Sequence, residues 1–167
     1  RRYGEEVAIV GKAFGPWTLG YHVFGVQEFL INTLLDPGAV KRAMASLKEV
    51  TVQFANAQVE AGAQALQVFD SWAGVLSPAD YAARVLPHSR RLFAGIRETD
   101  VPLIHFGTGT AGFLESFAAA GGDVVGVDWR IPLDEAGRRL GSERGIQGNL
   151  DPAALLGPAE VWRDQAA

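Results

Sequence analysis

Five short apolar runs alternate with longer helical patterns along the chain, and this alternation restricts it to a parallel α/β fold. The runs are Val7–Gly11, Ala65–Phe69, Leu103–Phe106, Val124–Val127 and Gly145–Gly148. They alternate little between apolar and polar residues, the pattern of strands covered on both faces. Between them, Asp36-Pro37, Ser77-Pro78 and Asp151-Pro152 each set a side-chain oxygen before a proline at a first helical position. Ser77-Pro78-Ala79-Asp80 has capping-box spacing, with Asp in place of Glu. Gly62, Gly121 and Gly141 stand where helices are expected to close. After Asp36, the spacing of Val40, Met44, Leu47, Thr51, Phe54 and Gln58 predicts one buried stripe that weakens toward its end.

Ala61–Asp70 echoes Ala120–Asp128: helix end, tight turn, strand, then an acid, with Trp72 or Trp129 close behind. Two turns meeting the same geometric demand would explain the echo; so would the quasi-repeat of a (β/α) barrel. Five units do not close a barrel, which takes eight units and typically ~250 residues. The alternative is an open, doubly wound sheet. Against it, no Gly-x-Gly-x-x-Gly follows the first strand, and the first crossover is long enough for two helices. The expected fold class is α/β, a partial (β/α)8 TIM barrel of about five consecutive βα units. It forms a single domain over residues 1–167, incomplete at both ends, and the opening Arg1-Arg2-Tyr3 without Met fits that expectation.

Composition narrows the function. There are no cysteines, which excludes disulfides, thiolate metal sites and a cysteine nucleophile. A net charge of −4 argues against a nucleic-acid partner. No apolar run approaches the roughly 20 residues of a membrane span, and no signal-peptide pattern is present, so no membrane association and a cytoplasmic location are expected. Arg84, Arg90, Arg91 and Arg97 share one helical segment and read as a solvated outer face rather than an anion site.

In parallel α/β folds the reactive face lies beyond the C-terminal ends of the strands. The candidates there are Phe14–His22, Asp70-Ser71-Trp72, Gly107–Thr110, Asp128-Trp129-Arg130, Asn149 and Asp151. Asp70 and Asp128 could be paired carboxylates for acid–base work, or could satisfy loop amides. Asp151, beside Pro152, reads as a cap. His105 lies inside a strand and reads as a core residue; His88 reads as a surface residue. His22, beside Tyr21 in an aromatic loop, is a functional candidate. Gly107-Thr108-Gly109-Thr110 could cradle an anion or simply turn the chain, and no Walker lysine follows it. Ser71 lacks the surroundings of a nucleophile elbow. Trp17, Phe69, Trp72, Phe106 and Trp129 all fall near strand ends, which points to a broad apolar mouth for a large flat ligand.

Leu66–Gly74, Leu76-Ser77-Pro78 and Leu86-Pro87 resemble the uroporphyrinogen decarboxylase family. So do Ile104–Gly107, Val124–Arg130, Leu133–Ala136 and Gln147–Pro152, and the likeness runs from about Val10 to Leu156. The resemblance implies a (β/α)8 barrel that removes carboxylate from the four acetate groups of uroporphyrinogen III to give coproporphyrinogen III in porphyrin and heme biosynthesis. It implies a lyase with a tetrapyrrole substrate, no metal or organic cofactor, and a homodimer. Protonation of the pyrrole ring makes it an iminium electron sink. By this resemblance Ser71 matches a substrate-contacting Ser/Thr and Phe69 an apolar pocket residue. The family's substrate-site Tyr, six residues after the Pro of Pro-[Phe/Trp]-Thr-Leu, falls on His22, with Tyr21 adjacent. The family's Arg-rich loop, its pyrrole-binding Asp and its Gly-His-Gly segment have no counterpart in 1–167. No catalytic residue is therefore assigned, and the chain alone is expected not to decarboxylate. Open sheet edges are expected to promote self-association.

Two other readings compete. Gly15–His22 with Gly25-Val26 and Phe29-Leu30-Ile31 is similar to corrinoid-dependent methyltransferases of the same superfamily. Those use a zinc-binding His-x-Cys motif, whereas this chain has His105-Phe106-Gly107. A non-catalytic tetrapyrrole-binding module is the other.

Overall fold

The computed structural model describes residues 6–96 and 100–166, so Arg97 of the arginine cluster lies outside the described residues. Five strands form one sheet: β1 (Val10–Phe14), β2 (Ala65–Phe69), β3 (Leu103–Phe106), β4 (Val124–Gly126) and β5 (Gly145–Gln147). Their spatial order is β1-β2-β3-β4-β5 and every pairing is parallel. A doubly wound sheet would reverse its strand order at a switch point. Strictly sequential order is the arrangement of neighbouring barrel staves.

Three helices fill the first crossover: α1 (Pro16–Phe24), α2 (Val26–Leu35) and α3 (Pro37–Glu60). Gly25, at φ +85°, separates α1 from α2, which is why this crossover holds three helices rather than two. After β2 come α4 (Pro78–Asp80), one π-helical turn (Tyr81–Val85) and α5 (Leu86–Ile96). Then follow α6 (Leu114–Ala118), α7 (Leu133–Leu140) and α8 (Ala159–Ala166). The three proline-linked caps form as expected. Asp36 accepts from Ala39 N at 2.8 Å, Ser77 from Asp80 N at 3.1 Å and Asp151 from Ala153 N at 2.9 Å.

Strand residues divide by face. Ala13, Leu66, Val68, Leu103, His105 and Val125 point to the helical layer and are buried. The apolar ones pack in one core with Trp17, Met44, Leu92, Phe93 and Phe117, and His105 lies against the last two. Fully burying a side chain such as Leu92 or Phe93 stabilises the fold by about 1.5–3 kcal/mol. The alternate residues form the inner face of the incomplete cylinder and remain partly open.

The structure corrects the sequence reading at four places. The first strand runs over Val10–Phe14, three residues later than Val7–Gly11, because pairing with β2 begins at Val10↔Ala65. Val7 and Ile9 precede it and are exposed. The fourth and fifth strands each end one residue early. On α3 the buried positions are Val40, Met44, Thr51 and Ala55; Phe54 is 57% exposed. His88 is buried rather than on the surface, beside Val40 and Met44 of α3.

Gln58 explains why a polar residue continues the α3 stripe. Its side-chain amide accepts from Lys12 N at 2.9 Å and donates to Lys12 O at 3.0 Å. Thr51 Oγ1 donates to Phe14 O at 3.3 Å. These bonds occupy outward-facing backbone groups on the free edge of β1, where unpaired groups would invite another strand.

Candidate ligand-binding mouth

Two buried carboxylates brace the loops at the C-terminal end of the sheet. Asp70, at the end of β2, accepts from Thr18 Oγ1 at 2.9 Å and Thr18 N at 3.3 Å, which pins the start of α1. Thr18 Oγ1 in turn accepts from Trp72 N at 3.2 Å, and Trp17 Nε1 donates to Trp72 O at 3.2 Å. Gly15 allows this closeness: a Cβ there would lie 2.6 Å from Asp70 Cγ. Asp128, after β4, accepts from Gly109 N at 2.7 Å and Arg130 N at 3.1 Å, and pairs with the Arg130 guanidinium. Each acid thus braces the loop of the preceding strand in the chain or in the sheet. This is the structural content of the sequence echo.

Both acids are therefore committed to loop geometry. Asp70 is fully buried, and burial pushes its carboxyl up to about 6 although the Thr18 hydrogen bonds pull it down. Asp151 caps the turn after β5. The Gly107–Thr110 segment is a βα turn in which the Gly109 amide is taken by Asp128 and Thr108 Oγ1 donates to Ser71 O. Asn149 Nδ2 donates to the carbonyls of Asp128 and Ile131, tying the fifth unit to the fourth.

The inner face is built in layers fixed by strand register. The upper layer is Phe14, Phe69, Phe106, Gly126 and Gln147. The lower layer is Lys12, Gln67, Ile104, Val124 and Gly145. Phe69 and Phe106 meet edge to face, with centroids 5.6 Å apart. Gly126 leaves room for Phe106, since a Cβ there would lie 2.8 Å from its ring. Lys12 Nζ reaches up to 4.9 Å from the centroids of both Phe14 and Phe69.

At the strand ends, Ser71, Trp72, Gly74, Val75, Thr108, Gly109 and Arg130 line a groove of about 470 Å³. Arg130 lies over the Trp129 ring at 4.2 Å.

The four predicted binding residues take different places. Ser71 lines the groove and is half-buried. Phe69 lies on the inner face in the upper layer. His22 is exposed and rests against Phe14, centroids 4.9 Å apart. Tyr21 is only 3% exposed, packed among Trp17, Phe29 and Trp72. Burial pushes its phenol up to about 12. Of this adjacent pair, His22 is the exposed one. Trp17 is likewise fully buried, so it supports the mouth without lining it, whereas Trp72 and Trp129 are partly exposed. His105 points into the helical layer, stacked on Phe117 at 3.7 Å, and burial drives its imidazole down to about 3. It cannot reach the mouth from there.

Lys12 is the inner-face residue that the sequence reading passes over. A strand placed at Val7–Gly11 leaves it in a loop. The signal is the alternation of Val10, Lys12 and Phe14 against buried Gly11 and Ala13.

The uroporphyrinogen decarboxylase family profile matches residues 1–167. The chain is 44% identical over 171 aligned positions to uroporphyrinogen decarboxylase from Carboxydothermus hydrogenoformans, covering 99% of this chain and 49% of that protein. Against the enzyme of the same name from Nocardia farcinica it is 54% identical, covering 93% of this chain and 46% of the relative. The chain thus spans about half the length of the curated relatives it matches. Among solved structures, a methyltransferase from Methanosarcina mazei superposes with a TM-score of 0.85 at 22% identity, covering 95% of this chain and 48% of that one. That likeness shows the barrel-type fold. No helix among the described residues is long and apolar enough to cross a membrane.

Proposed function

Because the chain belongs to the uroporphyrinogen decarboxylase family, we propose that it forms one wall of a tetrapyrrole site and takes part in converting uroporphyrinogen III to coproporphyrinogen III. The observation that carries this reading is the inner-face layer of Phe14, Phe69 and Phe106, with Ser71 two residues beyond Phe69 at the strand ends. Its aromatic surface suits a large apolar ring system, and Ser71 and His22 offer polar groups at the strand ends. The family's chemistry breaks a C–C bond to a carboxylate. A proton adds to the ring carbon next to the acetate-bearing one, CO₂ leaves as its bonding electrons form an exocyclic methylene and neutralise the iminium ring, a second proton converts the methylene to methyl, and the first leaves the ring carbon to restore the pyrrole, so one proton is taken up for each CO₂ lost.

This chain's contribution is the shape of the site. The strand-end acids Asp70, Asp128 and Asp151 are engaged in loops and caps, and the reading assigns none of them the role of proton donor. The reading assigns substrate contact to Phe69, Ser71 and His22. Tyr21 acts from behind, as core packing for the loop that presents His22. The complete reaction depends on the family's Arg-rich loop and pyrrole-binding Asp, which the resemblance does not place in 1–167. The same relationship makes a homodimer and a cytoplasmic location part of the proposal.

The test is an anaerobic assay of the purified chain with uroporphyrinogen III, alongside fluorescence titration with uroporphyrin III. Saturable binding without coproporphyrinogen is expected. Product formation would contradict the assignment of the proton chemistry outside this chain. Absence of binding would contradict the site.

A further inference from the structure

Lys12 is the one charged side chain among the described residues of the two inner-face layers. It is exposed, and it makes no ion pair with any described carboxylate. Its position is nevertheless defined. The Gln58 amide fixes its backbone on both sides, and its ammonium is shared between the Phe14 and Phe69 rings at 4.9 Å each. Phe14 also carries His22 on its ring, so Lys12, Phe14 and His22 run in sequence from the inner face to the mouth. Around them the floor offers rings, aliphatic side chains and the amides of Gln67 and Gln147.

An ammonium held between aromatic faces is partly desolvated but not neutralised. A carboxylate that reached it would gain more than it would from a lysine in open water. A ligand seated against the inner face beside Phe69 would also bring its edge groups toward Lys12 Nζ, because the cation lies 4.9 Å from the Phe69 centroid. We propose that Lys12 is a specificity-determining residue of the site: it receives a carboxylate of a flat polyacid ligand seated against the phenylalanine floor. The inference rests on the tetrapyrrole reading and adds to it the group that recognises the ligand's acid edge from within the barrel.

The experiment measures binding of two probes to the chain by fluorescence titration at low salt: uroporphyrin III, an octa-acid, and its neutral octamethyl ester. Lys12→Met keeps the aliphatic stem against the rings and removes the charge; Lys12→Arg keeps the charge. The proposal expects Lys12→Met to weaken octa-acid binding about tenfold, Lys12→Arg to stay within about threefold of the unchanged chain, and ester binding to be the same in all three. Thermal melts of the three proteins confirm that the fold is retained. Equal octa-acid affinity in Lys12→Met and the unchanged chain would overturn the inference while leaving the tetrapyrrole reading standing. Equal losses for acid and ester would overturn it too, by showing that Lys12 acts only through packing. If the unchanged chain binds neither probe, the tetrapyrrole reading fails, and the inference with it.

Discussion

Thr18 gives both its hydroxyl and its backbone N–H to one carboxylate oxygen of Asp70 and accepts Trp72 N on the same hydroxyl. One short side chain therefore locks the loop bearing His22 to the loop bearing Ser71. Thr18→Val preserves the shape and removes both hydroxyl bonds. A hydrogen bond to a buried charge contributes roughly 1.5–3 kcal/mol. Chemical denaturation should show a loss of about 2 kcal/mol, and a loss below 0.5 kcal/mol would show that the brace contributes little.

Asp70 also sets a pH dependence. Its carboxyl is raised from 3.8 to about 6, chiefly by burial. The folded chain therefore holds a proton that the unfolded chain releases between about pH 4 and pH 6. The contribution of this group makes stability fall as pH rises through that window, and the loss is complete above it. In Asp70→Asn the titration is gone. Denaturation midpoints measured from pH 4 to pH 7 should show that this downward contribution has disappeared, relative to the unchanged chain. Identical pH profiles would contradict the buried, ionisable role.

The β1 edge gives a solution-state prediction. Gln58→Leu keeps the bulk and removes the amide that satisfies Lys12 N and O. The exposed edge should then pair with other chains. Sedimentation velocity is expected to show a shift to larger species than in the unchanged chain at equal concentration. An unchanged distribution would mean that the edge is protected by something else.

Gly74 is required where the second and third βα loops touch. A Cβ there would lie 2.1 Å from Thr108 O and 2.8 Å from Gly109 Cα, both backbone atoms that cannot swing aside. Gly74→Ala should destabilise the chain by about 1–3 kcal/mol and force the Ser71 groove to change shape. Thermal melting checks the first effect and the octa-acid titration the second.

Arg139 joins α7 to α6 by two bonds to Glu115, at 2.7 and 2.8 Å, which hold the Glu115 carboxyl down to about 2. That stabilisation is present above pH 4.5 and is lost as pH falls toward 2. The pair is largely exposed, so a double-mutant cycle with Glu115→Gln and Arg139→Gln should give a coupling of only about 0.5–1 kcal/mol. A coupling near zero, or one that persists at pH 2, would contradict it.

The central strands were readable because sequence pattern and environment agree there. Ala65–Phe69 and Leu103–Phe106 have neighbours on both sides, and their bounds match the apolar runs. The first strand sits at the sheet edge, where apolar character no longer reports pairing. Exposed Val7 and Ile9 look like strand, while Lys12 looks like loop. The α3 stripe drifted because small Ala55, not large Phe54, lies at the close contact. His88 was misplaced because a polar residue on a basic helix gives no sign that α3 covers it. At the strand ends, strand order and a resemblance singled out Ser71 and Phe69, and the structure puts Phe69 on the inner face and Ser71 in the groove. The difference between Tyr21 and His22 could not be read, because it depends on which side of α1 meets Trp17 and Phe29.

The central claim is that the inner face and strand ends of this sheet receive a flat polyacid, and residue-resolved NMR tests it most directly. Uroporphyrin III added to the labelled chain should shift the signals of Phe14, Phe69, Ser71 and His22 while leaving α5 and α7 unmoved. Shifts confined to the helical outer face, or none at saturating ligand, would contradict it.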